Sequence, residues 1–396
     1  MINFGRGVPS ADLIDVAGLA QAAGAAATAN ADASFGYGSP AGYQPLREWI
    51  AARHGVDPGS VLVTPGAMQA VALTVDLLVG GAGDAAGEVL VERPTYDMVL
   101  KALAARPVTV RRLDLGREWV EPGPAAGAAP VRRCVYAVPT FRNPDGATMA
   151  LPERELLLER AALEGSVVIE DDPYQELRFD GPALPPLWRL GGLEQVVHIS
   201  SFSKTVCPGL RVGYVIADDA RIEGLIAAAN RTYITPSMFA QAVAHRYLLD
   251  GGLDAPLQRM RAELAARAEL MCELLSEQLP QARFERPQGG YFVWLRLPAT
   301  ITASALGAAA QRHGVVVAPG SGFLLGGGGD HGDGGDHGDG GERCVRLCFA
   351  AEPPNRIVEG VRRLAAAARE ADSSGGSQQA AGRPELGEEA VLADPA

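Results

Sequence analysis

HISSFSKTVCPGLRVGYV, residues 198–215, is the stretch on which the reading of this chain turns. Val196, Val197 and Ile199 form an apolar run expected to be a buried strand, and Pro208-Gly209 turns the chain. One lysine, Lys204, sits among small hydroxyl residues, with Arg211 seven positions later. An ammonium at a strand end in apolar sequence is costly unless it is paired or chemically used. On spacing alone two readings stay open. The lysine reaches into solvent, or it is a Schiff-base lysine whose ammonium is disfavoured by burial and neighbouring cations. The rest of the chain decides, by whether it supplies what an aldehyde carrying a phosphate needs.

Upstream, the same strand-and-turn grammar repeats. VLVT runs into Pro65-Gly66-Ala67-Met68 and an apolar helix to about Val79. A strand, a glycine turn and a helix start leave unpaired amides pointing outward, a ready anion site, although such a glycine is usually just a turn. EVLVERP is followed by a helix from Thr95 to Ala104, VTVRRLDL is a strand, and RCVYAVPT ends in Phe141-Arg142-Asn143-Pro144-Asp145-Gly146. SVVIEDDPY is another strand after a helix from Pro152 to Leu163. Strands alternating with helices indicate an α/β fold with a mostly parallel sheet covered on both faces. Ligands of such sheets sit beyond the carboxyl ends of the strands. Gly66, Tyr96, Asn143, Asp171 and Lys204 all lie just past or at strand ends, so they are expected at one rim.

After Val215 the texture changes. Helices are expected over Ile222–Asn230, Phe239–Leu249 and about Pro256–Leu279. A smaller sheet is expected from ARFERP, GGYFVWLRLP, VVVAPG and CVRLCFA, with helices near Ala303–His313 and Pro354–Ala371. The chain therefore divides into an N-terminal arm (1–30), a large domain (31–250), a smaller C-terminal α+β domain (251–371) and a polar tail expected to be disordered (372–396). Residues 326–341, GGGGDHGDGGDHGDGG, are a repeat insert. It reads as a flexible acidic loop, with a weak metal site at His331 and His337 as the alternative. No metal is assigned.

The formal net charge of −12, with no basic block, argues against a nucleic-acid surface. No apolar run reaches membrane-spanning length and the N-terminus lacks a signal-peptide core, so a soluble cytoplasmic protein is expected. The five cysteines are scattered and read as reduced thiols. Cys344 and Cys348 share one face of an alternating strand, which favours core packing over metal binding.

PGAMQA, RPTYD, VPTFRNPDG, VIEDDPY, SFSKTVCPGLRVGY and VRLCFA together resemble, in order, the fold type I pyridoxal-phosphate enzymes. The match is nearest to the class I/II aminotransferases of the 2-aminoadipate, aromatic and MocR-like branch, without a winged-helix domain. The resemblance covers roughly residues 2 to 370. It implies pyridoxal 5'-phosphate as cofactor and Lys204 as the residue that holds it in an internal aldimine, then carries the proton shift. Asp171 would pair with the pyridine nitrogen, its ionised form favoured by that cation over desolvation. Tyr96 would stack on the ring, and Asn143 and Tyr174 would bind the ring oxygen. Gly66, Ala67, Met68, Ser201, Ser203 and Arg211 would form the phosphate cup. Tyr37 resembles a tyrosine reaching the neighbouring subunit's phosphate, which implies a homodimer with shared sites. Arg346 would clamp the substrate α-carboxylate, with Asn143 and Gly7 nearby.

The implied activity is amino transfer from an L-amino acid to a 2-oxo acid by a ping-pong mechanism. Elimination, cyclisation or oxidation on the same fold is the alternative. A sensing domain of the MocR regulators is a third reading, disfavoured because no basic module precedes the domain. The resemblance is imperfect at Arg142 and Asp145, where QNPTG is usual, and this puts local substrate preference in doubt. If the acidic insert faces the site entrance, its aspartates would disfavour acidic substrate side chains.

Overall fold

The computed structural model describes residues 1–29, 31–80, 87–115, 131–249, 251, 253–328 and 341–380. Among these, twelve strands form three sheets. In chain order they are β1 (Ile2–Asn3), β2 (Val61–Thr64), β3 (Gly87–Val91), β4 (Val108–Arg112), β5 (Arg133–Ala137) and β6 (Val167–Asp171). Then follow β7 (Val196–Ser201), β8 (Gly213–Ile216), β9 (Phe292–Arg296), β10 (Val315–Val316), β11 (Ala318–Pro319) and β12 (Cys344–Cys348). The large sheet has the order β2-β8-β7-β6-β5-β3-β4. Its pairs are parallel except at β8, which is antiparallel to both neighbours.

The strand sequences read as unbroken apolar runs because both faces are buried. Alternate residues point to opposite faces. Val89, Cys134, Tyr136, Ile169, Val197 and Ile199 pack with the helices Ala67–Leu78 and Asp219–Tyr233. Leu90, Val135, Ala137, Val168 and Val196 pack on the other side with Leu157, Leu158, Leu187 and Trp188. Glu170 follows the second parity, and its buried carboxylate accepts from Leu187 N at 2.6 Å, at the start of a short helix, and contacts His198 Nδ1 at 3.0 Å. Asp171 follows the first parity, which turns it toward the same face as Tyr136.

The small sheet is β11-β12-β9, antiparallel throughout. Three expectations change here. ARFERP is not a strand: Arg283 and Arg296 exchange one bridge, and pairing goes no further in a segment where Pro287 lacks a ladder donor. VVVAPG splits at Val317, because β10 pairs with β1 of the N-terminal arm while β11 joins β12. The last helix runs Pro354–Ala380 and does not stop near Ala371, since extending an existing helix adds one hydrogen bond per residue whatever the burial. Residues 329–340 of the insert, with His331 and His337, and the tail from 381 lie outside the described residues. Cys344 and Cys348 are both buried, the latter within the hydrophobic core. No described helix is long and apolar enough to cross a membrane.

Arg154, fully buried on the helix Leu151–Leu163, holds the loop after β5. Its guanidinium donates to Pro139 O at 2.8 Å, Met149 O at 2.9 Å, and Thr140 Oγ1 and Pro185 O at 3.0 Å. Arg154→Met keeps the volume but strands these acceptors, so it should destabilise the protein by about 3 kcal/mol. The check is equilibrium denaturation: the midpoint falls while the slope is unchanged.

Candidate active site

The carboxyl ends of β2, β3, β5, β6 and β7 meet around a cavity of about 520 Å³, within the range of small-molecule sites. Ala67 and Met68 line it after β2, Tyr96 after β3, and Asn143 after β5. Asp171 and Tyr174 line it at the end of β6, and Ser201, Ser203 and Lys204 at the end of β7. Arg211, Gly7 and Arg346 complete the expected set. Two expected residues do not line it. Gly66 lies against the Arg211 guanidinium, next to Ala67, and Tyr37 is 90% exposed.

Gly66 still shapes the site. It has φ 93° and caps the helix Ala67–Leu78, and a side chain there would run into the Arg211 guanidinium. That glycine lets a cation lie against a helix N-terminus, which concentrates positive potential on one spot. Arg211 Nη1 approaches Ser203 Oγ at 3.3 Å, and Ser201 Oγ lies 2.9 Å from Ser203 Oγ. Arg211 itself has φ 53°, a strained conformation for a non-glycine residue and one that places its guanidinium here.

Opposite charge lies deeper. Asp171 is 5% exposed, and its Oδ2 accepts from Tyr136 Oη at 2.7 Å. Its Oδ1 has no partner among the described residues. Burial raises the Asp171 carboxyl to about 6, against the Tyr136 hydrogen bond and the charges of His198 and Lys204. In the bare protein, then, desolvation wins; the expectation that opposite charge prevails concerns a cation bound at Oδ1.

Lys204 Nζ donates to Gly7 O at 2.6 Å and lies 5.9 and 5.8 Å from the ring centres of Tyr174 and Tyr291. Burial lowers its amine to about 8, with Arg346 and Arg211 adding to the effect and Cys348 and Asp171 opposing it. Tyr291 Oη donates to the Lys204 carbonyl at 2.7 Å, fixing the backbone beneath the amine. Tyr96 is half-buried, and burial followed by Asp171 pushes its hydroxyl up to about 12, so it remains a neutral ring.

Arg346, on β12, is 6% exposed. Its Nη1 donates to Asn143 Oδ1 at 2.5 Å and its Nη2 to Gly5 O at 2.6 Å, and its Nε is unpartnered among the described residues. The rings of Phe292 and Phe323 lie 4.6 and 4.7 Å from the guanidinium carbon. Because Asn143 gives its oxygen to Arg346, its amide NH₂ is the group left for a ligand. Arg142 and Asp145 do not line the cavity: Arg142 pairs with Asp145 and with Glu92 Oε1 at 2.6 Å, while Glu92 Oε2 accepts from Val138 N at 2.6 Å. These charges brace the Asn143 loop against β3.

Sequence reading missed Tyr136, Tyr291 and Arg6. Tyr136 carried a usable signal, the one hydroxyl in the strand RCVYA, but its meeting with Asp171 needs the β5–β6 register. Tyr291 reaches Lys204 from the small sheet, and no local pattern announces that. Arg6, also on the cavity wall, sat beside the glycine already singled out.

The residues fit a phosphorylated pyridine aldehyde. The orphaned Asp171 oxygen, the free amide of Asn143, the amine of Lys204 and the cationic helix start each match one of its functional groups. The sequence matches the aminotransferase class I and II family over residues 1–364. It is 32% identical to a 2-aminoadipate transaminase of Thermus thermophilus, over 92% of this chain and 89% of that protein. It is 29% identical to aromatic-amino-acid aminotransferase 1 of Thermococcus litoralis, over 93% and 88%. The crystal structure of LysN, the α-aminoadipate aminotransferase of Thermus thermophilus complexed with N-(5'-phosphopyridoxyl)-L-leucine, superimposes with a TM-score of 0.82 at 30% identity, covering 94% of this chain and 93% of that one. With the sheet, the cavity and its charges agreeing, this chain belongs to the class I and II aminotransferases, fold type I enzymes that depend on pyridoxal 5'-phosphate.

Proposed function

We propose that the enzyme takes the amino group of an L-amino acid and delivers it to a 2-oxo acid in two half-reactions at one site, with Lys204 as the cofactor-holding and proton-moving residue. The observation that carries this is one cavity holding both an amine lowered to about 8 and a buried carboxylate with a free oxygen among the described residues. Bound cofactor supplies an electron sink for the substrate α-carbon.

The chain's own groups do the rest. Asp171 Oδ1 would hold the pyridine nitrogen and its proton, while Tyr136 fixes the other carboxylate oxygen. The amides of Ala67 and Met68, the hydroxyls of Ser201 and Ser203, and Arg211 would hold the phosphate. Tyr96, Asn143 and Tyr174 line the cavity, where Tyr96 would cover the ring and the Asn143 amide and Tyr174 hydroxyl would bind its oxygen. Arg346 receives the α-carboxylate through its forked guanidinium, exchanging Gly5 O for the ligand. Lys204 gives up Gly7 O and, as a neutral amine, removes the α-proton. Tyr37, exposed on this copy, serves the phosphate of a second copy, which makes the working unit a homodimer with shared sites.

Borohydride reduction of the native enzyme should fix cofactor covalently on the peptide carrying Lys204, while Lys204→Ala retains none and loses at least about 10³-fold in kcat. Peptide mass mapping decides; a label elsewhere, or undiminished turnover, defeats the assignment. Cofactor capture by the apoenzyme should accelerate as pH rises through about 8, because only the neutral amine reacts and burial sets that midpoint.

Tyr136→Phe removes the hydrogen bond that lowers the Asp171 pKa, so that pKa rises further above about 6. Cofactor affinity depends on the ionised carboxylate and is lost as pH falls through the pKa. The acid limb of the affinity profile should therefore move to higher pH in the variant. Absorbance titration between about pH 5 and 8 measures it; an unmoved limb would show that Tyr136 only packs.

A further inference from the structure

The geometry points to Phe323 as a positioning residue for the α-carboxylate: the face of its ring holds the Arg346 guanidinium, and its backbone fixes that clamp to the loop presenting Tyr96. This rests on the reading of Arg346 as the α-carboxylate clamp and adds a residue to it. Phe323 is buried, yet among the described residues it joins none of the three apolar clusters. Its ring centre lies 4.7 Å from the Arg346 guanidinium carbon. The ring of Trp294 meets it nearly perpendicular, at 5.9 Å between centres. Trp294 is itself the residue directly opposite Arg346 in the β9–β12 pairing. The Phe323 carbonyl accepts from Thr95 N at 3.0 Å, one residue before Tyr96. Tyr96 stands at the start of the helix Asp97–Ala104 and lines the cavity.

Backbone geometry brings the ring to this place. β11 pairs with β12, Ala318 standing opposite Arg346, and the chain then turns through Gly320–Phe323. A Cβ on Gly320 would stand 2.7 Å from both Cys344 O and Gly341 O, so a larger residue would push the turn away from β12. Arg346 is held by Asn143 at Nη1, by Gly5 O at Nη2, and by the rings of Phe292 and Phe323. On the proposed function the incoming carboxylate replaces Gly5 O. Asn143 and the two rings then carry the orientation of the guanidinium. A forked donor pairs well with a carboxylate only in the correct plane, and a ring face restrains that plane. The ring also keeps water from the cation, which strengthens its pairing with an anion. Phe323 is not among the residues that line the cavity, so it acts through Arg346. Its bond to Thr95 ties the clamp on the small sheet to the Tyr96 loop beyond β3 of the large sheet.

The test uses the purified holoenzyme and calorimetric binding of two unreactive carboxylates, 4-methylpentanoate and 3-phenylpropanoate, with 3-phenylpropanamide as the uncharged control. Phe323→Leu should weaken carboxylate binding about 5- to 30-fold and leave binding of the amide unchanged. KM for amino-acid donors should rise by the same factor, with kcat held within about 3-fold. Phe323→Tyr should restore most of the affinity. Phenylalanine analogues with one, two and three ring fluorines at position 323 keep the shape but weaken the negative ring face, so the carboxylate Kd should climb stepwise while Tm stays fixed. An unchanged Kd in Phe323→Leu, or a Kd indifferent to fluorination, overturns the role of Phe323 alone. If Arg346→Ala binds the carboxylates as tightly as the unaltered enzyme, or the unaltered enzyme binds neither, the clamp reading fails and this proposal with it.

Discussion

A lysine amine and a carboxylate, both withdrawn from water, share one cavity at the carboxyl rim of the sheet. Each is disfavoured as an ion by its own burial, and each partly restores the other. That mutual dependence sets the demands on the surrounding structure. The carboxylate needs a fixed orientation, which Tyr136 supplies from the neighbouring strand. The lysine needs a fixed backbone, which Tyr291 supplies from the small sheet. Neither requirement would arise at an exposed site, where water solvates whatever the chain leaves unpaired.

The N-terminal arm joins these parts. β1 pairs with β10, and Cys348 N donates to Phe4 O, so the arm is built into the C-terminal part of the molecule while its next residues cross the cavity of the large sheet. Its carbonyls at Gly5 and Gly7 occupy donors of Arg346 and Lys204, the groups that the proposed function assigns to ligands. On that proposal, binding is an exchange of acceptors on groups already oriented.

Charges outside the cavity serve position. Arg142, Asp145 and Glu92 compensate one another and brace the loop that presents Asn143. Arg154 ties the same loop to the helix behind it with neutral acceptors. The departure from the usual loop sequence at Arg142 and Asp145 therefore bears on how Asn143 is held, not on direct contact with substrate.

Local pattern made much of this legible. Apolar strand runs, glycine turns and helix periodicity depend on near neighbours, and they put Gly66, Tyr96, Asn143, Asp171 and Lys204 at strand ends. The motif order then assigned each a task. The split of VVVAPG between two sheets, the antiparallel course of β8 and the approach of Tyr291 were not legible, because they are set by partners distant in the chain. Tyr136 and Asp171 meet only through the register of β5 on β6, and Gly5 meets Arg346 on an arm that β1 docks on β10. The sequence by itself determined the residue chemistry and the succession of elements, which follow from short-range sterics and hydrophobic period. Tertiary structure alone decided which charges face each other out of water, since pairing energies depend on distance and burial that no local pattern encodes.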